Sequence, residues 1–219
     1  MKVDIWADVM CPFCYMGKRK FEAALQRFPH KQEVEVIWHS FQLDPALTPR
    51  PGEDLYSYLA RIKGQSRKWS VKFNKQVADA AKKVGLVYDF DKVVVNNTFD
   101  AHRLIHQAKK SGLGAQAEER LFRAYFTEGR DIGDHKVLAA LGAEIGLDPK
   151  DVKKMLESDA YADDVRKDEA EAGKLGADGV PFFLLNGKYT IIGAQEPALF
   201  LEALEKSFYE WKKKERPTE

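Results

Sequence analysis

The stretch Asp8-Val9-Met10-Cys11-Pro12-Phe13-Cys14-Tyr15-Met16-Gly17 holds both cysteines of this 219-residue chain. Immediately before it, Val3-Asp4-Ile5-Trp6-Ala7 is a short apolar run of the kind that forms a buried strand. Immediately after it, Tyr15, Phe21, Ala24, Leu25 and Phe28 recur at helical spacing until Pro29 ends the run. The two thiols therefore sit at a strand-to-helix junction. A helix starting at Cys11 or Pro12 would place Cys11 at its N-terminus, where unpaired N–H groups and the positive end of the dipole favour a thiolate. Proline lacks an N–H that a first-turn position does not need, and it presets φ. Cys14, one turn on, is expected beneath Cys11 and more buried. Cys11 then reads as the attacking thiol and Cys14 as the resolving one.

Two cysteines are too few for a secreted disulfide framework, so the pair reads first as redox-active or metal-binding. A structural zinc site usually takes four ligands. None of the five histidines lies at a nearby ligand spacing, so no metal site is expected.

Farther out, Val34 to Leu43 alternates well enough for a second strand, closed by Asp44-Pro45. Residues 54–176 read as several helices. Asp134 and Asp148-Pro149 supply helix starts, Asn97-Thr98 a helix entry, and Ser158 a cap for a last helix stopped by Gly176. Strand character returns at Val180-Pro181-Phe182-Phe183-Leu184-Leu185, followed by the hairpin signal Asn186-Gly187 and Tyr189-Thr190-Ile191-Ile192. Glu196-Pro197 opens a final helix with Phe200, Leu204, Phe208 and Trp211 spaced for burial. The order is β-α-β, a helical insertion, then β-β-α, an α/β class.

Proline at the start of a strand cannot donate to the ladder. A cis Val180–Pro181 bond accounts for it, and it would leave Val180 backbone free to pair with an extended substrate. A Val-Pro pair before a strand is weak evidence alone. Combined with Cys11-Pro12-Phe13-Cys14 it favours thiol–disulfide exchange over metal binding.

Composition narrows the alternatives. A formal net charge of +1 provides no basic field for nucleic acid and no polybasic segment for anionic lipid. The run Lys212-Lys213-Lys214-Glu215-Arg216 complements the dipole at a helix end. Asp4 and Asp8 interrupt the first apolar residues, so no secretory signal is read, and no segment approaches the roughly 20 apolar residues of a membrane span. A cytoplasmic location is expected.

The segments Cys11-Pro12-Phe13-Cys14-Tyr15-Met16-Gly17, Trp38-His39-Ser40-Phe41-Gln42-Leu43, Asn97-Thr98-Phe99-Asp100-Ala101-His102-Arg103-Leu104, Gly179-Val180-Pro181-Phe182-Phe183 and Gly193-Ala194-Gln195 together resemble the DsbA family of thioredoxin-fold oxidoreductases, in its FrnE-like cytoplasmic branch. The resemblance implies a thioredoxin fold with a large all-helical insertion. The thioredoxin-like domain then comprises residues 1–45 and 177–219, and the inserted domain residues 46–176. It also implies disulfide oxidoreductase or isomerase activity with Cys11, Cys14 and Pro181 as catalytic residues and a cis-proline loop beside the dithiol. Pro12, Phe13 and Val180 would contact substrate. The only cofactor is the Cys11–Cys14 disulfide itself, and the partners are protein or small-molecule thiols and disulfides, glutathione among them. The family often has Trp where Phe13 stands and Arg-Pro where His39-Ser40 stands. Phe13 offers a thiolate no charge or hydrogen bond, so a less oxidising pair than in the periplasmic relatives is expected.

Three further residues have two readings each. Asp8 is placed to move a proton from the buried thiol or to make a loop hydrogen bond. His39 and His102 could shuttle protons or contact substrate, or be satisfied, partly buried histidines. Two other functional classes share the features. Kappa-type glutathione transferases and 2-hydroxychromene-2-carboxylate isomerases resemble the same framework but generally dispense with the second cysteine. A chaperone-like binding module would use the helical insertion and leave the thiols incidental.

Overall fold

The computed structural model describes residues 1–215. In chain order the elements are β1 (Lys2–Ala7), α1 (Pro12–Arg27), β2 (Glu35–Ser40), α2 (Leu55–Ile62), α3 (Arg67–Lys82), α4 (Phe99–Lys110), α5 (Gly114–Phe126), α6 (His135–Glu144), α7 (Pro149–Leu156), α8 (Ala162–Lys174), β3 (Phe182–Leu185), β4 (Tyr189–Ile192) and α9 (Pro197–Glu215). Arg216, the end of the basic run, lies outside the described residues. Among the described residues, no helix is long and apolar enough to cross a membrane.

The chain divides into two compact units. One comprises Met1–Phe41 with the chain from Asp168 onward, the other Gln42–Lys167. In the first, the four strands form one sheet in the order β2-β1-β3-β4. β1 runs parallel to β2 and antiparallel to β3, and β3 is antiparallel to β4. The β3–β4 hairpin turns through Asn186 (φ 52°) and Gly187 (φ 66°), the two positive φ values that an Asn-Gly turn accommodates.

Alternation along β1 gives the sheet two buried faces. Ile5 stands opposite Phe183, which with Phe21 of α1 and Phe200 of α9 forms an aromatic cluster with ring centroids 4.7–5.7 Å apart. Trp6 points the other way and packs with Ala172, Ala177, Phe182 and Leu184, flanked by Phe41 and Val180. Full burial of one such side chain is worth about 1.5–3 kcal/mol, so these clusters account for why β1 pairs at the centre of the sheet.

The second unit is helical throughout its regular structure. Asp134 caps α6 by accepting from the Lys136 and Val137 amides (2.7 and 3.0 Å), and Asp148 caps α7 from Lys150 (2.7 Å). Asn97 Oδ1 accepts from the Phe99 amide at the entry to α4 (2.9 Å). Ser158 departs from expectation. Its hydroxyl donates to the Met155 carbonyl and accepts from the Ala160 amide, so it closes the turn after α7 and does not cap α8. α8 ends at Lys174, just short of the expected stop at Gly176, and Leu175 beyond it is exposed. The alternation expected to extend through Leu43 ends at Ser40.

Candidate active site

Cys11 is the N-cap of α1 in extended conformation (φ −88°, ψ 111°), and Pro12 occupies the first turn. The Cys11 amide donates to the Asp8 carbonyl and the Cys14 amide to the Cys11 carbonyl, each at 3.0 Å. These two bonds wind the junction tightly enough to stack the thiols one turn apart. Cys14 is fully buried, Cys11 is 3% exposed and Phe13 is 39% exposed. Both thiols are free.

The Val180–Pro181 bond is cis, as expected. The Val180 carbonyl faces the dithiol and accepts from Cys11 Sγ at 3.6 Å, a sulfur-type distance. With the pair reduced, that carbonyl is thus engaged by the Cys11 thiol and not open. Pro181 is buried, and its carbonyl accepts from the Gly193 amide at 2.8 Å. Gly17, one turn beyond Cys14 and on the same side of α1, allows this approach. A Cβ there would stand 2.8 Å from Pro181 Cγ.

Burial pushes the Cys14 thiol well above its ordinary range. Its hydrogen bond to Cys11 and the charges of Cys11 and Asp8 act in the same direction, against the Asp8 backbone bond. Asp8 is completely buried, and its carboxylate accepts from the Met10 amide at 3.3 Å, so the expected loop hydrogen bond is present.

Pro12, Phe13, Val180, Pro181, Asp8 and both cysteines are thus gathered at the N-terminus of α1. His39 lies on β2, opposite Trp6 on β1, and its ring is bonded between Asp4 and Asp168. His102 belongs to the second unit, where it is buried on α4. Glu171 brings a third carboxylate to His39 and Asp168, with ligand-type atoms within 4.8 Å of one another. Both His39 nitrogens and both Asp168 oxygens are hydrogen-bonded within this polar network. Sequence reasoning passed over Gly17, Asp4 and Asp168. Gly17 had a signal in its three-residue spacing from Cys14, and Asp4 in its intrusion on an apolar strand. Asp168 had none.

A model of the DsbA-like thioredoxin domain matches residues 2–205. The Bacillus subtilis (strain 168) protein YwbO is 31% identical over 205 residues, covering 92% of this chain and 94% of YwbO. The crystal structure of the probable DsbA oxidoreductase SCO1869 from Streptomyces coelicolor superposes with a TM-score of 0.92 at 37% identity, covering all of this chain and 92% of that one. The cytosolic disulfide reductase DsbM from Pseudomonas aeruginosa shares the fold at 21% identity and a TM-score of 0.66, over 95% of this chain and 99% of its own. With an α/β thioredoxin fold and a Cys11–Cys14 pair at the N-terminus of its first helix, the chain belongs to the DsbA-like thioredoxin family.

Proposed function

We propose that the protein is a thiol–disulfide oxidoreductase in which Cys11 attacks and Cys14 resolves. One observation carries this reading: the two thiols differ sharply in setting. Cys11 sits at the helix N-cap beside the Val180 backbone, whereas Cys14 is sealed below it with its proton held more tightly than usual. The Cys11 thiolate attacks a substrate disulfide, forming a mixed disulfide and expelling one substrate sulfur as thiolate. The Cys14 proton passes to the buried Asp8 carboxylate. Cys14 then attacks Cys11 Sγ, the second substrate sulfur leaves, and the Cys11–Cys14 disulfide remains while the substrate has gained two electrons. Run backwards, the same steps oxidise a dithiol.

Val180 and Pro181 line the substrate segment of the mixed disulfide, and exposed Phe13 with Pro12 forms its apolar edge. The partners are protein or small-molecule thiols and disulfides in the cytoplasm. Glutathione is a natural small-molecule couple, and DsbM was crystallised with GSH. The test is trapping with oxidised glutathione. Cys14→Ser should accumulate a stable glutathione adduct on Cys11, visible as a mass increase reversed by dithiothreitol. Cys11→Ser should not. Equal trapping in both variants, or turnover that survives in Cys14→Ser as a one-thiol transferase or isomerase would show, refutes the dithiol mechanism.

A further inference from the structure

The most unexpected polar feature of the first unit is a buried charged network on the Trp6 face of the sheet. His39 Nε2 lies 2.8 Å from Asp4 Oδ1, and His39 Nδ1 lies 2.9 Å from Asp168 Oδ1. A neutral imidazole has a single N–H and can donate to only one carboxylate. An imidazolium donates to both. Burial opposes the ring's charge, but the bonds to Asp168 and Asp4 outweigh it and hold its titration above the ordinary 6.5. The other groups in the network are Lys2, whose ammonium is 2.8 Å from Asp4, Glu171 on α8, and Glu35, which acts on Lys2.

The network also grips Trp6. The indole stacks on the His39 ring at 4.4 Å, and its N–H donates to the Asp168 main-chain carbonyl at 2.9 Å. The Asp168 side chain additionally takes the Ser40 amide at 2.8 Å. On its far side Trp6 meets the edge of Phe182 at 5.7 Å. Phe182 directly follows Pro181, and Val180 packs on the same cluster. An unbroken line of contacts therefore runs from His39 through Trp6 and Phe182 to the Val180 carbonyl, which faces Cys11 Sγ.

We propose that His39 is a positioning residue for the dithiol: as an imidazolium clamped between Asp4 and Asp168 it fixes Trp6, and through Phe182 and Val180 the backbone facing Cys11, so its ionisation and Cys11 reactivity are linked. This rests on the thiol chemistry proposed above. When the ring loses its charge, one nitrogen faces a carboxylate with no proton between them, and that side of the clamp opens. The stacked indole, and the strand entry it supports, then have a looser seat.

The test compares the pH profile of Cys11 alkylation by iodoacetamide, localised by mass spectrometry on the reduced protein, with the NMR titration of the His39 ring. In the wild type the profile should carry a second inflection coinciding with the ring titration. His39→Gln should abolish that inflection and change the rate at neutral pH by roughly three- to tenfold, as expected for residues coupled in one network. Asp4→Asn keeps the ring but removes a charge that favours the imidazolium. It should move ring titration and inflection together to lower pH, and it decides the matter if His39→Gln does not fold. An inflection that survives in His39→Gln, or ring signals that shift in Asp4→Asn while the alkylation profile stays put, overturns the proposal, whatever the melting temperature does. Intact glutathione exchange with a flat profile refutes the coupling alone, whereas absence of exchange in the wild type refutes the thiol chemistry as well.

Discussion

Gly17→Ala is the most direct test of how the site is built, because the structure sets two opposing effects against each other at one position. In an exposed helix, replacing Gly by Ala is favourable by about 1 kcal/mol. At Gly17, however, the new Cβ would stand 2.8 Å from Pro181 Cγ, 3.5 Å from Pro181 Cβ and 3.6 Å from Phe183 Cζ. Relief requires a displacement of several tenths of an ångström. Pro181 is a ring whose carbonyl is tied to the Gly193 amide, and Phe183 is locked among Phe21 and Phe200, so neither side yields freely. Overpacking of this kind costs about 1–3 kcal/mol, which leaves a net loss of up to about 2 kcal/mol, centred near 1, after the helix gain. For a chain of this size each kcal/mol is worth about 2–4 °C in melting temperature. Gly173 on α8 is the internal control, since a Cβ there meets nothing within 4 Å. Gly173→Ala should be neutral or slightly stabilising in the same melt. Gly17→Ala should melt several degrees lower and exchange more slowly with oxidised glutathione, because the Pro181 segment is pushed from its place beside Cys11. If both variants gain stability and exchange at the wild-type rate, α1 does not rest on Pro181 and the site geometry is refuted.

The remaining predictions concern the electrostatics, one cap and the residue between the cysteines. His39 titrates above its ordinary value, so its contribution to stability is complete below about pH 6.5 and fades as the pH rises through the folded value. The wild-type advantage over His39→Gln in urea melts should therefore shrink between pH 6 and alkaline pH, and an advantage that grows contradicts the sign. Burial would raise the Asp4 carboxyl, but bonds from His39 and Lys2 outweigh it and hold it below 3.8, so its contribution is lost as the pH falls through the folded value. Acid unfolding of Asp4→Asn should accordingly show a weaker pH dependence than that of the wild type. Asp134→Ala removes an acceptor for two amides and should cost about 1 kcal/mol in a denaturant melt. Phe13→His places a cationic donor between the thiols and should shift the glutathione equilibrium toward the reduced protein by roughly tenfold, about 30 mV.

The local parts of this protein were legible in one dimension. The strand–CxxC–helix junction, the Asn186-Gly187 turn and the Asp134 and Asp148 caps depend on residues within a few positions of each other, where backbone sterics and short hydrogen bonds decide the outcome. Pro181 was legible because a proline at a strand start has few ways to exist. Ser158 misled because a hydroxyl able to cap the next helix serves equally well to close the previous one, and only the fold chooses between them.

What the tertiary structure alone decided is which distant groups share a space. Gly17 and the Pro181 ring, the Cys11 thiol and the Val180 carbonyl, and the side chains of His39 and Asp168 come together across more than a hundred residues of chain. The order of residues supplied the available chemistry: two thiols, a helix N-terminus beneath one of them, and a proline to face them. Whether His39 would be an idle histidine or a clamped cation depended on two carboxylates brought in from β1 and α8. Charge and hydrogen bonding act through space and not along the chain, so that distinction had to wait for the fold.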